Sequence, residues 1–235
     1  MSLLTAQGLS KQFGGLSAVE NVDFDLPRGE VRALIGPNGA GKTTLVGMIC
    51  GRIVPSAGRV TFDGRDITGL PAHKRIMAGM AYTFQITSVF TGLDVRENVA
   101  LAARRHMHPR ETGPAVEAAL ARVGLADRID QEAGDLSYGH QRLLEIAMGL
   151  VQSPRLLILD EPTQGLSDAE IAGFKALVRE LAGDTTILLI EHNMSVVMEL
   201  ADRVTVLNFG EVLAHGTPDE IHHNADVQAA YLGTG

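Results

Sequence analysis

The octapeptide Gly36-Pro37-Asn38-Gly39-Ala40-Gly41-Lys42-Thr43 constrains this chain more than any other stretch. Its glycines reach backbone conformations that side chains forbid, so the run curls tightly instead of extending an element. Val31 to Ile35 before it reads as a buried strand, and Thr43 to Cys50 after it as a helix. Strand, glycine loop and helix is the context that a G-x-x-x-x-G-K-[ST] phosphate-binding loop requires. There the backbone N–H groups and the helix N-terminus face phosphate oxygens. Lys42 is expected to reach the β- and γ-phosphates, the Thr43 hydroxyl to ligate Mg²⁺, and Thr44 to add a phosphate contact.

The rest of the chain supplies a sheet to carry this loop. Val22 to Leu26 alternates, and Val60 to Phe62 precedes an Asp63-Gly64 turn. Leu156 to Asp160 and Thr185 to Ile190 are further buried strands, with Ser167-x-x-Glu170 opening a helix to about Ala182 as a capping box. Between roughly 87 and 150 the pattern is helical: Val95 to Arg105 and Ala115 to Val123, broken by Gly113-Pro114, and then a helix capped by Ser137. Val204 to Leu207 and Val212 to Ala214 flank Phe209-Gly210 as a hairpin. The fold class is therefore α/β, with a mostly parallel sheet covered on both faces.

Asp160 ends its strand as a Walker B acid should, at the sheet edge where a carboxylate holds Mg²⁺ through water. Glu161 follows it, and Pro162 prevents regular strand continuation. His192 follows the strand ending at Ile190, which brings it to the same edge.

At 235 residues the chain is one large domain, or one domain with an insertion. Its apolar runs fall short of the ~20 residues a bilayer span needs, and no secretory signal is visible. A lone cysteine, Cys50, excludes an internal disulfide and fits a reducing cytosol. The formal charge of −8 argues against general affinity for nucleic acid or anionic lipid. The histidine pairs His106/His108 and His222/His223 have no companion ligands at metal-binding spacing and read as solvated helix ends.

Leu136-Ser137-Tyr138-Gly139-His140-Gln141, about twenty residues before Leu156, then decides among nucleotide binders. It resembles the signature motif of ATP-binding-cassette (ABC) ATPases, usually Leu-Ser-Gly-Gly-Gln. That resemblance implies a P-loop NTPase (RecA-like) core over 1–86 and 151–235, with an N-terminal antiparallel β subdomain and an inserted α-helical subdomain over about 87–150. It also implies ATP and Mg²⁺ as ligands, Glu161 as the general base and His192 as the γ-phosphate switch. Gln85 resembles the Q-loop glutamine that touches Mg²⁺ or the attacking water, and Phe13 the aromatic stacked on adenine. Asp168 falls in the D-loop region. In this family the Ser137 hydroxyl and Gly139 amide serve the γ-phosphate of a second cassette, so the implied unit is a homodimer, or a heterodimer with a paralogous ATPase subunit.

Within the family, Lys11-x-Phe13-Gly14-Gly15, Thr83-Phe84-Gln85, Leu144-Glu145-Ile146-Ala147 and the ending Gly216-Thr217-Pro218 to Ala230-Tyr231-Leu232-Gly233 resemble the branched-chain amino-acid importer ATPases. The resemblance implies two transmembrane permease subunits, an extracytoplasmic substrate-binding protein, no nucleic acid, and a peripheral place on the cytoplasmic membrane face. A lipopolysaccharide-export ATPase shares the Gly-Thr-Pro ending, but Thr-Phe-Gln and Phe-Gly-Gly favour the importer. A non-transport ABC ATPase would bring coiled coils, a tandem cassette or a basic surface, and none is visible. Glu161 and His192 argue against a scaffold without turnover.

Overall fold

A computed structural model describes residues 2–83, 88–104 and 107–232. The chain runs β1 (Ser2–Phe13), β2 (Leu16–Pro27), β3 (Val31–Ile35) and α1 (Lys42–Ile49), then β4 (Ala57–Phe62), β5 (Arg65–Asp66), α2 (Ala72–Met77) and β6 (Met80–Thr83). Helices α3 (Val95–Ala103), α4 (Pro109–Arg122) and α5 (Tyr138–Leu150) follow. The remainder is β7 (Leu156–Asp160), α6 (Asp168–Leu181), β8 (Thr186–Ile190), α7 (Met194–Leu200), β9 (Arg203–Asn208), β10 (Glu211–Gly216), α8 (Pro218–His222) and α9 (Ala225–Leu232).

Among the described residues the strands form two sheets. An antiparallel sheet has the order β2-β1-β4-β5, and the other runs β10-β9-β3-β8-β7-β6. The second is parallel except for β10, which returns antiparallel beside β9 through the expected Phe209-Gly210 turn. This is the α/β architecture the sequence implies.

Side chains alternate across a strand, so each buried strand feeds two cores. Leu156 and Ile158 of β7 pack with α1, β1, β2 and β4, while Leu157 and Leu159 face α3–α6. Leu188 and Ile190 of β8 likewise join the first core, and Ile187 and Leu189 the second. Fully burying each such side chain stabilises the fold by roughly 1.5–3 kcal/mol. β3 is buried throughout as expected, and this includes Arg32. Arg32 Nε donates to Glu30 at 2.5 Å and Nη1 to Thr205 Oγ1 at 3.2 Å.

The Gly113-Pro114 break does not occur: α4 runs through it from Pro109. A capping box at His108 and Glu111 starts that helix earlier. Pro114 is exposed near its N-terminal end, where water can take up the carbonyl that a proline leaves unbonded. The capping box at Ser167 and Glu170 does open α6. Helix α2 has no side-chain cap and no sequence signal. It is pinned by the buried Arg75, whose guanidinium donates to the carbonyls of Met48 and Ile49 at the end of α1, both at 2.7 Å, and to Thr68 and Leu70.

Candidate active site

The phosphate loop leaves β3 at Gly36, hemmed in by neighbouring backbone. A Cβ on Gly36 (φ +151°) would lie 2.2 Å from the Leu207 carbonyl oxygen, and one on Gly41 (φ +101°) 2.6 Å from that of Ala18. Only glycine fits between β9 and β2 at these points. The turn after β9 is fastened to the loop, with the Gly210 amide donating to Ala40 O at 3.0 Å. Gly41 is the N-cap of α1 and offers it no side-chain cap, so the first-turn N–H groups face an open cleft.

That cleft has a volume of about 470 Å³ and is lined by residues 38–44, by Leu16, Ser17 and Ala18, and by Glu161, His192 and Phe209. Asn38, Gly39, Ala40, Gly41, Lys42, Thr43 and Thr44 thus gather there as the motif requires, with Gly36 and Pro37 behind them. Lys42 Nζ donates to Gly36 O at 2.6 Å and Pro37 O at 3.1 Å. Burial lowers the Lys42 pKa, and the nearby Glu161 and Asp160 charges oppose that shift. Such a partly desolvated ammonium at a loop of N–H donors suits a phosphate oxygen.

Ends of β7 and β8 deliver the acids. Asp160 pairs with Ile190 in the register, and the Glu161 amide donates to Ile190 O at 2.9 Å. Glu161 has φ +49°, a left-handed conformation that costs a non-glycine residue about 1–3 kcal/mol and aims its side chain away from the strand direction. Its Oε1 lies 2.9 Å from His192 Nε2. Asp160 accepts a hydrogen bond from the Tyr82 hydroxyl, which itself accepts from Arg52 Nη2 at 2.8 Å. Burial pushes the Asp160 carboxyl above its ordinary value, and the Glu161 charge adds to that; the Tyr82 bond and the Arg52 and Arg142 cations pull against it.

Mg²⁺ binds through one or two carboxylates, substrate phosphates and retained water, without a dedicated protein cage. Thr43 and Asp160 are a donor set of that kind, and among the described residues no cluster of three His, Cys, Asp or Glu side chains offers a cage. The donors fit the ion.

Other expected site residues fall elsewhere. Phe13 ends β1, is 50% exposed and lies outside the cleft lining, with Lys11 Nζ 5.1 Å from its ring centre. Gln85 lies outside the described residues. Ser137 and Gly139 do not line the phosphate cleft; Gly139 and His140 line a separate cavity of about 350 Å³ between α4, α5 and α6. Ser137 caps α5 as expected, its Oγ accepting from the His140 amide at 3.3 Å and lying 3.0 Å from His140 Nδ1. Asp168 is the first residue of α6.

Sequence reasoning passed over Glu191, buried beside the switch position. Its Oε1 accepts from Thr163 N at 3.1 Å and Thr163 Oγ1 at 2.5 Å, and its Oε2 from the amides of His192 at 2.9 Å and Asn193 at 3.1 Å. One carboxylate thereby holds the loops that carry Glu161 and His192. An acid directly after the apolar run Ile187 to Ile190 was the available signal. Phe209, 84% exposed with φ +46°, had no signal beyond its turn.

Comparison with known proteins finds matching family profiles, relatives and folds. The family profile described as ABC transporter matches residues 19–164, and that described as branched-chain amino acid ATP-binding cassette transporter matches residues 211–235. The chain is 40% identical to the high-affinity branched-chain amino acid transport ATP-binding protein BraF of Pseudomonas aeruginosa, covering 98% of both. It is 41% identical to LivG of Salmonella typhimurium, described in the same words, at the same coverage. Identity to the lipopolysaccharide export system ATP-binding protein LptB of Haemophilus influenzae is 31%, over 99% of this chain and 98% of that one. Among solved structures, an ABC transporter cassette in its ADP conformation superposes with a TM-score of 0.91 at 27% identity, over 99% of each chain. A nucleotide-free cassette gives 0.90 at 27%, over 98% of this chain and 99% of the other.

Proposed function

The chain belongs to the ATP-binding cassettes of ABC transporters, and we propose that it is the ATP-hydrolysing subunit that energises an importer of branched-chain or related amino acids. The observation that carries hydrolysis is the convergence of Lys42, Glu161 and His192 on one cleft at the phosphate loop. The match of residues 211–235 to the branched-chain profile, and identities of 40–41% against 31% for the export protein, support amino-acid import over lipopolysaccharide export.

In this reading the phosphate-loop amides and Lys42 bind the triphosphate of ATP. Thr43 and Asp160, with Gln85, hold Mg²⁺, which when bound offsets phosphate charge. Glu161 accepts the proton of the attacking water, and His192 fixes the carboxylate so that the water lies in line with the γ-phosphate. Phe13 stacks on adenine from the rim. Ser137 and Gly139 reach the nucleotide of a second cassette, a copy of this chain or a paralogous subunit. Their place outside the cleft lining supports that trans role.

The segment 87–150 moves as a unit against the core of 1–86 and 151–235. Its permease-facing surface is a cavity of about 370 Å³ whose lining includes Ser88, Phe90, Leu101, Ala102 and Met148, with Phe90 54% exposed. Apolar side chains left open in this way suit a helix of a membrane subunit. None of the helices among the described residues is long and apolar enough to cross a membrane. In this reading the chain acts from the cytoplasmic face on two permease subunits, and an extracytoplasmic binding protein delivers substrate.

The test is twofold. Phosphate release from ATP should be abolished by Glu161→Gln, and affinity capture from native membranes should recover permease subunits and an amino-acid-loaded binding protein. Recovery of lipopolysaccharide-export components would overturn the substrate assignment, and undiminished turnover in the variant would overturn the base.

A further inference from the structure

Ser137 opens α5 and Glu161 follows β7, yet one buried side chain touches both neighbourhoods. Arg142 is 1% exposed. On α5 it stands one turn after Tyr138 and one turn before Glu145, spacings that put all three on one helix face. Its Nη1 donates to Glu145 Oε2 at 3.1 Å. Its Nη2 donates to the Tyr138 hydroxyl and to the backbone carbonyl of Glu161, each at 3.4 Å. The Tyr138 ring lies 5.8 Å from the guanidinium carbon and packs on Gly165, where a Cβ would sit 3.3 Å from Cε1.

A buried ion pair is weak evidence for stability, because apolar residues of similar volume often serve as well. What apolar residues could not supply is a rigid planar fork with donors directed to two different elements. Glu145 anchors Nη1 from the same helix. Nη2, held in place by that anchor, bridges the Tyr138 hydroxyl beside Ser137 and the peptide of Glu161, whose left-handed backbone conformation needs an external hold.

We propose that Arg142 is a positioning residue that couples the two ATP sites of the dimer: seating of the Ser137 turn on the partner's nucleotide shifts Tyr138, and Arg142 passes that shift to the Glu161 peptide of its own site. This rests on the ATPase reading above and deepens it, since it states how one site senses the other. Lysine cannot replace the fork, because its single ammonium cannot be anchored on Glu145 and at the same time bridge Tyr138 and Glu161 with fixed planar geometry.

The test compares wild type, Arg142→Lys and Tyr138→Phe as purified full-length chains, the second variant removing only a hydroxyl. Turnover against ATP concentration, affinity for a fluorescent ATP analogue and the melting temperature are measured on each. Misplacing a catalytic group by about an ångström costs up to ~100-fold. Arg142→Lys should therefore lose roughly tenfold or more in kcat while nucleotide affinity stays within about twofold. The Hill coefficient in ATP, above one in wild type, should fall to one in Arg142→Lys and decline in Tyr138→Phe.

Three results overturn the proposal: kcat and Hill coefficient retained in both variants, kcat lost only in step with the folded fraction, or a wild-type Hill coefficient of one. Failure of the ATPase reading would look different, as wild-type turnover that survives Glu161→Gln.

Discussion

Nε2 of His192 lies 2.9 Å from Oε1 of Glu161, joining the loop after β8 to the loop after β7 at the mouth of the phosphate cleft. Both loops are held from behind by the buried Glu191 carboxylate. The contact fixes where the Glu161 carboxylate can point, and so, in the proposed function, where it would take a proton from water.

Loss of a general base typically costs 10²–10⁴-fold in rate. Glu161→Gln is expected to lower ATP turnover by about that factor while leaving nucleotide binding intact, and to accumulate an ATP-bound dimer. Phosphate release paired with size-exclusion chromatography reads both. A variant that stays monomeric at saturating Mg-ATP would count against Glu161 as the base.

Composite sites make the specific rate depend on assembly. The ATPase rate of wild-type protein should rise more than linearly with protein concentration. Strict proportionality from a protein shown to be monomeric by light scattering would remove Ser137 and Gly139 from the site.

Asp160 gives a pH-dependent stability with a definite sign. Its folded-state pKa is raised above 3.8 by burial, so the folded state holds the proton more tightly than the unfolded chain does. Ionisation then costs folded stability progressively as pH climbs from that ordinary value through the raised one, and the full cost applies above it. Asp160→Asn, which can still accept from Tyr82, should raise the ligand-free melting temperature at pH 7.5, by about 2–4 °C for each kcal/mol relieved. Below a pH of about 4 the gain should vanish. A variant less stable than wild type at neutral pH would contradict this.

Cys50 is buried and its thiol is pushed up to about 12 by desolvation. The native protein should therefore resist an aromatic disulfide reagent at pH 8 and react with one equivalent only when unfolded, because the thiolate is the nucleophile. Rapid native labelling would show that the core around the end of α1 opens.

Gly41→Ala would place a methyl group 2.6 Å from the Ala18 carbonyl on a left-handed backbone. Binding of a fluorescent ATP analogue should weaken by at least about tenfold while the far-ultraviolet circular dichroism of the fold persists, given strain of ~1–3 kcal/mol at the loop. Unchanged affinity would show that the loop tolerates the side chain.

Much of this is legible in the sequence. The glycine loop, the strands ending at Asp160 and Ile190 and the cap at Ser137 are local patterns, and each of them formed. What stayed hidden depends on contacts between distant segments. The hold of Glu191 on the loops of Glu161 and His192, the reach of Arg75 to the end of α1 and the fork of Arg142 are such contacts. Gly113-Pro114 misled because a break signal was weighed without the cap at His108. Leu16, Ser17, Ala18 and Phe209 line the cleft without any local motif to announce them, because it is the pairing of β2 and the turn after β9 with the loop that brings them there.

β7 carries a consequence for how this protein can change over generations. Its alternating leucines and isoleucine divide two hydrophobic cores, and the same run sets Asp160 and Glu161 at the sheet edge. Inserting or deleting one residue between Leu156 and Leu159 would turn every side chain to the opposite face and displace the acidic pair together. The five-residue span of β7 is therefore inherited whole, or a lineage loses the core and the placement of its acidic pair in the same step.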